Sequence, residues 1–257
     1  MKGLLMYYAM DAEKNKSYIE WLVGEAKESG LELKLVVMED LRTGFSLDDI
    51  DFVINRTREV SVSWQFELQG IRVFNSSEVT LLGNNKLAAY NYMQNRSVPF
   101  AKVLISPLKN KKTVRKPVSG HGGENVTYGI QVGPVDLANF VYQEHAGKII
   151  GDVRFWIIGN EIHAAVLRSN PDSFLSNYSH GGHFEEYSYN TSQEAIVKRA
   201  IADLSIDYAG IDFFVTTDDQ LLFNEIEDVV GSRMLSELGL NKTTTEWMRH
   251  IKKELLN

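Results

Sequence analysis

Acidic residues set inside two apolar segments constrain this chain more than any other feature. The first segment reads Gly210-Ile211-Asp212-Phe213-Phe214, and the second Leu221-Leu222-Phe223-Asn224-Glu225-Ile226-Glu227-Asp228. Apolar runs this short, separated by the turn-forming pair Asp218-Asp219, predict a β-hairpin over residues 212–216 and 221–226. Side chains alternate along a strand, so Glu225 and Glu227 share one face, and pairing brings Asp212 beside them. Three converging carboxylates repel one another, which predicts raised pKa values. Magnesium resolves that conflict, because it prefers oxygen ligands and is held by a few carboxylates together with substrate phosphates. The simpler reading is a solvated face with unrelated acids; Phe213, Phe214, Leu222 and Phe223 argue instead that the pair is buried.

The remainder of the chain alternates strand and helix patterns and predicts an α/β fold. Residues 3–8 read as a first strand. Residues 16–28 space Ile19, Leu22, Val23 and Ala26 as one face of a helix that Ser29-Gly30 stops. Strands follow at 31–38, 51–54 and 71–74, a β-α-β pattern that favours a small parallel sheet in an N-terminal unit of residues 1–76. A second unit, 77–145, contains a helix at 86–94, strand-like segments at 101–105 and 113–118, a glycine-rich loop at 119–123, and a helix at 136–142 leading into Gln143-Glu144. A third unit, 146–257, opens with a hairpin of strands 153–158 and 161–168 around Gly159-Asn160. A polar loop over 170–189, a helix at 192–204 capped by Ser192, the acidic hairpin, and a terminal helix at 245–256 complete it.

Composition narrows the function classes. The chain has 257 residues, enough for one large domain or two to three small ones. It contains no cysteine, which removes disulfides, thiolate metal sites and cysteine nucleophiles, and fits a cytoplasmic location. A formal net charge of −7 argues against a general nucleic-acid binder. No apolar run approaches the roughly 20 residues that a membrane span needs, and the N-terminal run is shorter than a signal peptide's.

Three further segments suit phosphate chemistry. Lys116-Pro117-Val118-Ser119-Gly120-His121-Gly122-Gly123 puts a lysine before a loop whose glycines let backbone N–H groups approach an anion. Its spacing matches neither the P-loop nor the dinucleotide fingerprint, and a mobile surface loop is the bland alternative. In Gly151-Asp152-Val153-Arg154, Asp152 and Arg154 share a strand face, with Arg168 at the end of the facing strand; such arginines neutralise phosphates or, more commonly, form structural ion pairs. Ser176-Asn177-Tyr178-Ser179-His180-Gly181-Gly182 is a small polar loop, whose His180, like His183, lacks the partners of a zinc site.

In order, these pieces resemble the ATP-grasp superfamily over residues 77–235, and within it the RimK-like amino-acid ligases. Asn84-Asn85-Lys86-Leu87 resembles the D-K-x-x segment, Lys116-Pro117 with the loop after it K-P-x-x-G-x-x-G, and Gln143-Glu144-His145 the hinge Q-E-[YF]. Asp152-Val153-Arg154 resembles D-[IV]-R, Ser176-Asn177 with Gly181-Gly182 resembles N-x-x-x-G-G, and Asp212 with Glu225-x-Glu227 resembles D…E-x-N. The resemblance implies an ATP-grasp fold, with a short N-terminal parallel unit and two α+β subdomains clamping ATP. It implies nucleotide contacts from Lys86, Lys116, Ser119, Gly120, Gly122, Gly123, Gln143, Glu144, His145, Asp152 and Ser176. Arg154, Arg168 and Asn177 take catalytic parts, and Asp212, Glu225 and Glu227 bind two magnesium ions, for which manganese substitutes. The implied activity is a carboxylate–amine ligase working through an acyl phosphate on small carboxylate and amine substrates or a peptide, in a homo-oligomer. The alternatives are a peptide-crosslinking ligase and a nucleotide-binding regulator without turnover. Two departures stand out: Glu227 replaces the family asparagine, and Asp228-Val229-Val230-Gly231 replaces S-S-P-G.

Overall fold

The computed structural model describes residues 1–169, 183–240 and 242–257. Parallel strands open the chain: β1 (Lys2–Tyr7), β2 (Glu32–Val37), β3 (Phe52–Asn55) and β4 (Arg72–Phe74) form a sheet in the order β2-β1-β3-β4. Helices α1 (Ala9–Lys14) and α2 (Lys16–Glu28) connect the first two strands, and α3 (Val60–Glu67) connects the last two. Crossovers are obligatory here, because parallel neighbours cannot be joined by a tight turn. Both sheet faces are covered. Leu5, Tyr7 and Ile54 pack with Ile19, Leu22 and Ala26 of α2, while Leu4, Met6, Val53 and Val73 pack on the other side against Phe66. Leu31 and Leu33 are buried, and the alternation then breaks at Leu35, which is exposed while Val36 is buried.

Helices α4 (Ser77–Asn84) and α5 (Lys86–Asn95) follow. Each has a side-chain cap: Ser76 accepts from Val79 N–H and Asn85 from Ala88 N–H. A second sheet, in the order β5-β8-β6-β7, contains β5 (Val103–Leu104), β6 (Lys112–Pro117), β7 (Thr127–Ile130) and β8 (Phe140–Gln143). The helix expected at 136–142 does not form. The Asp136 carboxylate instead accepts from both the backbone N–H and the side-chain amide of Asn139, closing a single turn, and the chain then extends to pair with β6.

The third sheet is antiparallel and has the order β11-β10-β9-β12-β13. Its strands are β9 (Ile149–Ile158), β10 (Glu161–Ser169), β11 (His183–Glu186), β12 (Tyr208–Thr216) and β13 (Leu221–Glu227). Helix α6 (Thr191–Ile201) precedes β12, and α7 (Arg233–Glu237) and α8 (Lys242–Leu256) close the chain. The cap of α6 is Asn190 in a capping box with Gln193, not Ser192, whose hydroxyl donates to Asn190.

This sheet's two faces explain how the site is placed. Val153, Phe155 and Ile157 of β9, with Ile211 and Phe213 of β12, bury against Val79, Tyr90 and Met93 of α4 and α5 and Val197 and Ile201 of α6. The alternate residues face the other way. Trp156, Ile158 and Tyr208 join the core formed with α2, α7, α8 and the N-terminal sheet. Further along the same face stand Arg154, Asp152 and Asp212. One sheet face therefore passes from hydrocarbon to ionic over a few residues. Asn75, which follows β4, locks the N-terminal unit to this sheet: its amide donates to the Tyr208 and Asp228 carbonyls at 2.7 and 3.1 Å and accepts from Asp207 and Tyr208 N–H.

Candidate active site

The acidic hairpin forms as read, with Asp212 opposite Glu225 and Gly210 opposite Glu227. Its register shifts after Asp212: Phe213 pairs with Phe223, so Asn224 is an extra residue in β13. Such a bulge re-aims side chains. Asn224 Oδ1 accepts from Lys116 Nζ at 2.7 Å, and its carbonyl accepts from the Tyr90 hydroxyl at 3.0 Å. Neither Asn224 nor Tyr90 was singled out from sequence. The signal was present, since the buried apolar residues of this strand are Leu221, Phe223 and Ile226, a step of two and then of three.

Two lysines meet these carboxylates from the opposite side. Lys86 begins α5 and donates to Gly120 O at 2.6 Å; its Nζ lies 3.5 Å from Glu225. Lys86 N–H also bonds Val118 O at 2.9 Å, tying the start of α5 to the root of the glycine loop. Lys116 ends β6, and burial lowers its ammonium pKa to about 8 while Glu225 opposes the shift. Burial pushes the Glu225 carboxyl upward against the pull of Lys86. In the loop, Gly122 and Gly123 take φ of 66° and 77°, a backbone region that side chains with a Cβ avoid. Ser119 is exposed there.

A narrow cleft runs beside Lys116. Ala101, Val114, Ile149 and Phe214 supply apolar walls, and Gln143, Glu144 and His145 its edge. Gln143 is held from both ends, accepting from Tyr90 OH at 3.1 Å and donating to Ala101 O at 2.9 Å. Glu144 lies 3.5 Å from Lys102, and the His145 ring is 4.7 Å from that of Tyr128 on β7. Flat apolar walls ending at a buried ammonium suit a planar base with a phosphate tail.

The ionic end of the large sheet corrects one expectation. Asp212 is not repelled into a high pKa. Arg154 grips it through Nε–Oδ1 and Nη2–Oδ2 at 2.7 Å each, and Arg168 Nη2 adds a bond of 2.6 Å to Oδ2. Burial alone would raise this carboxyl; the two guanidiniums outweigh it and hold Asp212 well below the usual carboxylate range. Arg168 also donates to Asp152 at 2.5 Å, and Arg154 reaches Glu227 at 3.4 Å. Asp212 and Glu227 thus converge on Arg154, and among the described residues no three of His, Cys, Asp and Glu are gathered into a ready-made metal cage. Gly210 makes room for this: a Cβ there would lie 3.0 Å from both Arg154 Cδ and Val230 Cγ2. Ser176 and Asn177, with the glycines after them, lie outside the described residues.

The donor set fits magnesium. Glu225 and Glu227 are partly exposed carboxylates on one strand. A carboxylate has about four acceptor positions, and the three arginine bonds leave Asp212 Oδ1 with one. A family model of the RimK-like ATP-grasp domain matches residues 137–248, from the hinge through the acidic hairpin to α8. Over these residues the chain is similar to RimK-like ATP-grasp domains. An uncharacterized protein of Mycoplasma pneumoniae, the MG011 homolog, is 23% identical over 99% of this chain and 96% of its own length. A tetrahydromethanopterin:alpha-L-glutamate ligase of Methanocaldococcus jannaschii is 20% identical over 85% of this chain and 90% of its own length. A RimK domain ATP-grasp structure from Sphaerobacter thermophilus superposes with a TM-score of 0.73 at 14% identity, covering 96% of this chain and 98% of that one. No helix among the described residues is long and apolar enough to cross a membrane.

Proposed function

We propose that this protein is an ATP-dependent carboxylate–amine ligase that forms an amide bond through an acyl phosphate, releasing ADP and phosphate. The observation that carries the reading is the set of buried Lys86 and Lys116 with half-buried Asn224 and Glu225, assembled at the mouth of an apolar cleft under a glycine loop. A nucleotide is the ligand whose parts suit each component: a base for the cleft, phosphates for the two ammonium groups and the loop's N–H groups, and a divalent cation for Glu225 and Glu227.

The chain's own groups do four things in this scheme. Gln143, Glu144 and His145 bound the base. Lys86 and Lys116, with Gly120, Gly122, Gly123 and Ser119 of the loop, hold phosphate oxygens and exclude water as the loop closes. Glu225, Glu227 and the remaining Asp212 position would hold two magnesium ions, or manganese in their place, which would supply neutralisation of phosphate charge. Arg154 and Arg168, aimed by Asp212 and Asp152, stabilise charge on the transferred phosphoryl group and on the tetrahedral oxyanion; Asn177 assists there. The substrate carboxylate attacks the γ phosphorus and an amine then displaces phosphate, so positioning and electrostatics do the work. The units 1–76, 77–145 and 146–257 serve as substrate wall, lid and metal-bearing base, in a cytoplasmic homo-oligomer. The test is ADP release from Mg-ATP against a panel of acids, amines and peptides, with Glu225→Gln beside it. Release that requires an acceptor and is lost in the variant supports the reading; nucleotide binding without release for any panel member speaks against it.

A further inference from the structure

Asp228 follows directly on β13, one position past Glu227. It is only 6% exposed, and an enclosed carboxylate needs partners that replace the water it has lost. Its described side-chain partner is not a cation: Oδ1 accepts from the side-chain amide of Asn84, the last residue of α4, at 3.1 Å. The residues before it are occupied otherwise. Glu227 meets Arg154, and Ile226 joins the core that holds Val79 and Leu82 of α4.

The contact between Asp228 and α4 is built closely. A Cβ at Gly83 would lie 2.8 Å from both Asp228 Cβ and Oδ1, so only glycine lets the helix approach this far. Asp228 is itself a fixed point, since its carbonyl accepts from the buried Asn75 amide at 3.1 Å. Asn84 is tied back into its own helix through Thr80 O at 2.9 Å. What Asn84 holds is the joint between two helices. Asn85 alone separates α4 from α5, in an extended conformation, and its side chain caps α5 at Ala88 N–H. The next residue is Lys86, whose ammonium donates to Gly120 O and stands 3.5 Å from Glu225. A joint of one residue has little slack, so the end of α4 sets where that ammonium stands. The path runs from β13 through Asp228 and Asn84 to Lys86, and returns to β13 at Glu225.

Asp228 stands first in the segment Asp228-Val229-Val230-Gly231, where the family pattern has S-S-P-G. A serine hydroxyl ends one bond short of a carboxylate oxygen, so this link to Asn84 is a feature of this chain. We infer that Asp228 is a positioning residue for nucleotide binding: acting through Asn84, it fixes the joint between α4 and α5 and so holds the Lys86 ammonium where phosphate oxygens are to be met. The inference rests on the ligase reading for the nucleotide as ligand. Asp228 touches no reacting atom in this scheme; its effect passes through Lys86 alone.

Calorimetric titration of the full chain with a non-hydrolysable ATP analogue, in the presence of magnesium, decides the matter. Asp228→Ala should weaken binding about tenfold, the scale of one hydrogen bond to a charged group. Asp228→Asn keeps an acceptor oxygen for Asn84 and should restore most of that loss. In a Lys86→Met background, Asp228→Ala should cost nothing further, because its effect passes through that lysine; a merely structural role would weaken both backgrounds alike. Asn84→Ala cuts the same bond from the other side, should match Asp228→Ala, and stands in for it if that variant does not fold. Wild-type affinity in the alanine variants, an Asp228→Asn as weak as Asp228→Ala, or an equal loss in the Lys86→Met background would each overturn the inference and leave the ligase reading standing. A wild type that binds no nucleotide would overturn the ligase reading, and the inference with it.

Discussion

Asp212→Asn separates two accounts of the acidic hairpin by sign. If the carboxylates chiefly repelled one another, neutralising one would stabilise the metal-free protein. The geometry requires the opposite. Asparagine keeps the size of the side chain but offers a single acceptor oxygen and one amide that repels guanidinium N–H groups. Three bonds of 2.6 to 2.7 Å from Arg154 and Arg168 are compromised, and two cations that are at most 9% exposed lose their main counter-charge. Removing one partner from a buried pair of this kind costs about 3–5 kcal/mol. Glu227 and Asp152 still contact one arginine each, so the lower end, about 3 kcal/mol, is expected. Urea unfolding in EDTA reads it directly, with the transition midpoint falling and its slope unchanged. The cycle with Arg168→Met should show coupling well above 1 kcal/mol, as expected for residues in contact. A stabilising Asp212→Asn, or additive single and double variants, would refute the argument.

Three other outcomes follow from the same contacts. The Lys116 ammonium is held near 8, below its unfolded value of 10.5, so the unfolded chain binds more protons between those values and stability should rise with pH across that window. The increment is about 3 kcal/mol at most, and is read as the difference between wild type and Lys116→Met in urea melts from pH 7 to 10.5; a flat difference contradicts the burial of a charged lysine. Gly210→Ala pushes a methyl against Arg154 and Val230, costing about 1–3 kcal/mol and lowering kcat through displacement of Arg154; unchanged stability and turnover would show that the sheet yields freely. Asn75→Ala leaves buried backbone groups of Asp207, Tyr208 and Asp228 without partners and should cost about 2–4 kcal/mol, with the N-terminal sheet losing hydrogen-exchange protection first; uniform protection loss would argue against a separable interface.

Much of this was legible in the chain because strand pairs with clear turns announce themselves. Gly159-Asn160 and Asp218-Asp219 mark both hairpins of the large sheet, and Lys86, Lys116, Asp152, Arg154 and Arg168 fall on elements whose faces could be counted. The failures have physical causes. No element is expected between strands 51–54 and 71–74, since Val60, Val62, Trp64 and Phe66 lack a helical spacing; α3 forms there as the crossover that parallel β3 and β4 require. Residues 136–142 carry a helical spacing that the Asx turn at Asp136 overrides. The bulge at Asn224 inverts the facing expected from strict alternation. The Arg154–Asp212–Arg168 clamp and the role of Asn75 depend on partners 44 to 153 positions away in sequence, and no local pattern encodes such meetings.

The most direct test of the ligase account is a single-turnover assay of the full chain with γ-labelled Mg-ATP, an acidic acceptor panel and hydroxylamine as a trap. The account predicts acceptor-dependent transfer of phosphate with a trapped hydroxamate, abolished in Glu225→Gln and strongly reduced in Lys116→Ala. Bound nucleotide with neither ADP release nor hydroxamate for any acceptor, or turnover untouched by both substitutions, would contradict it.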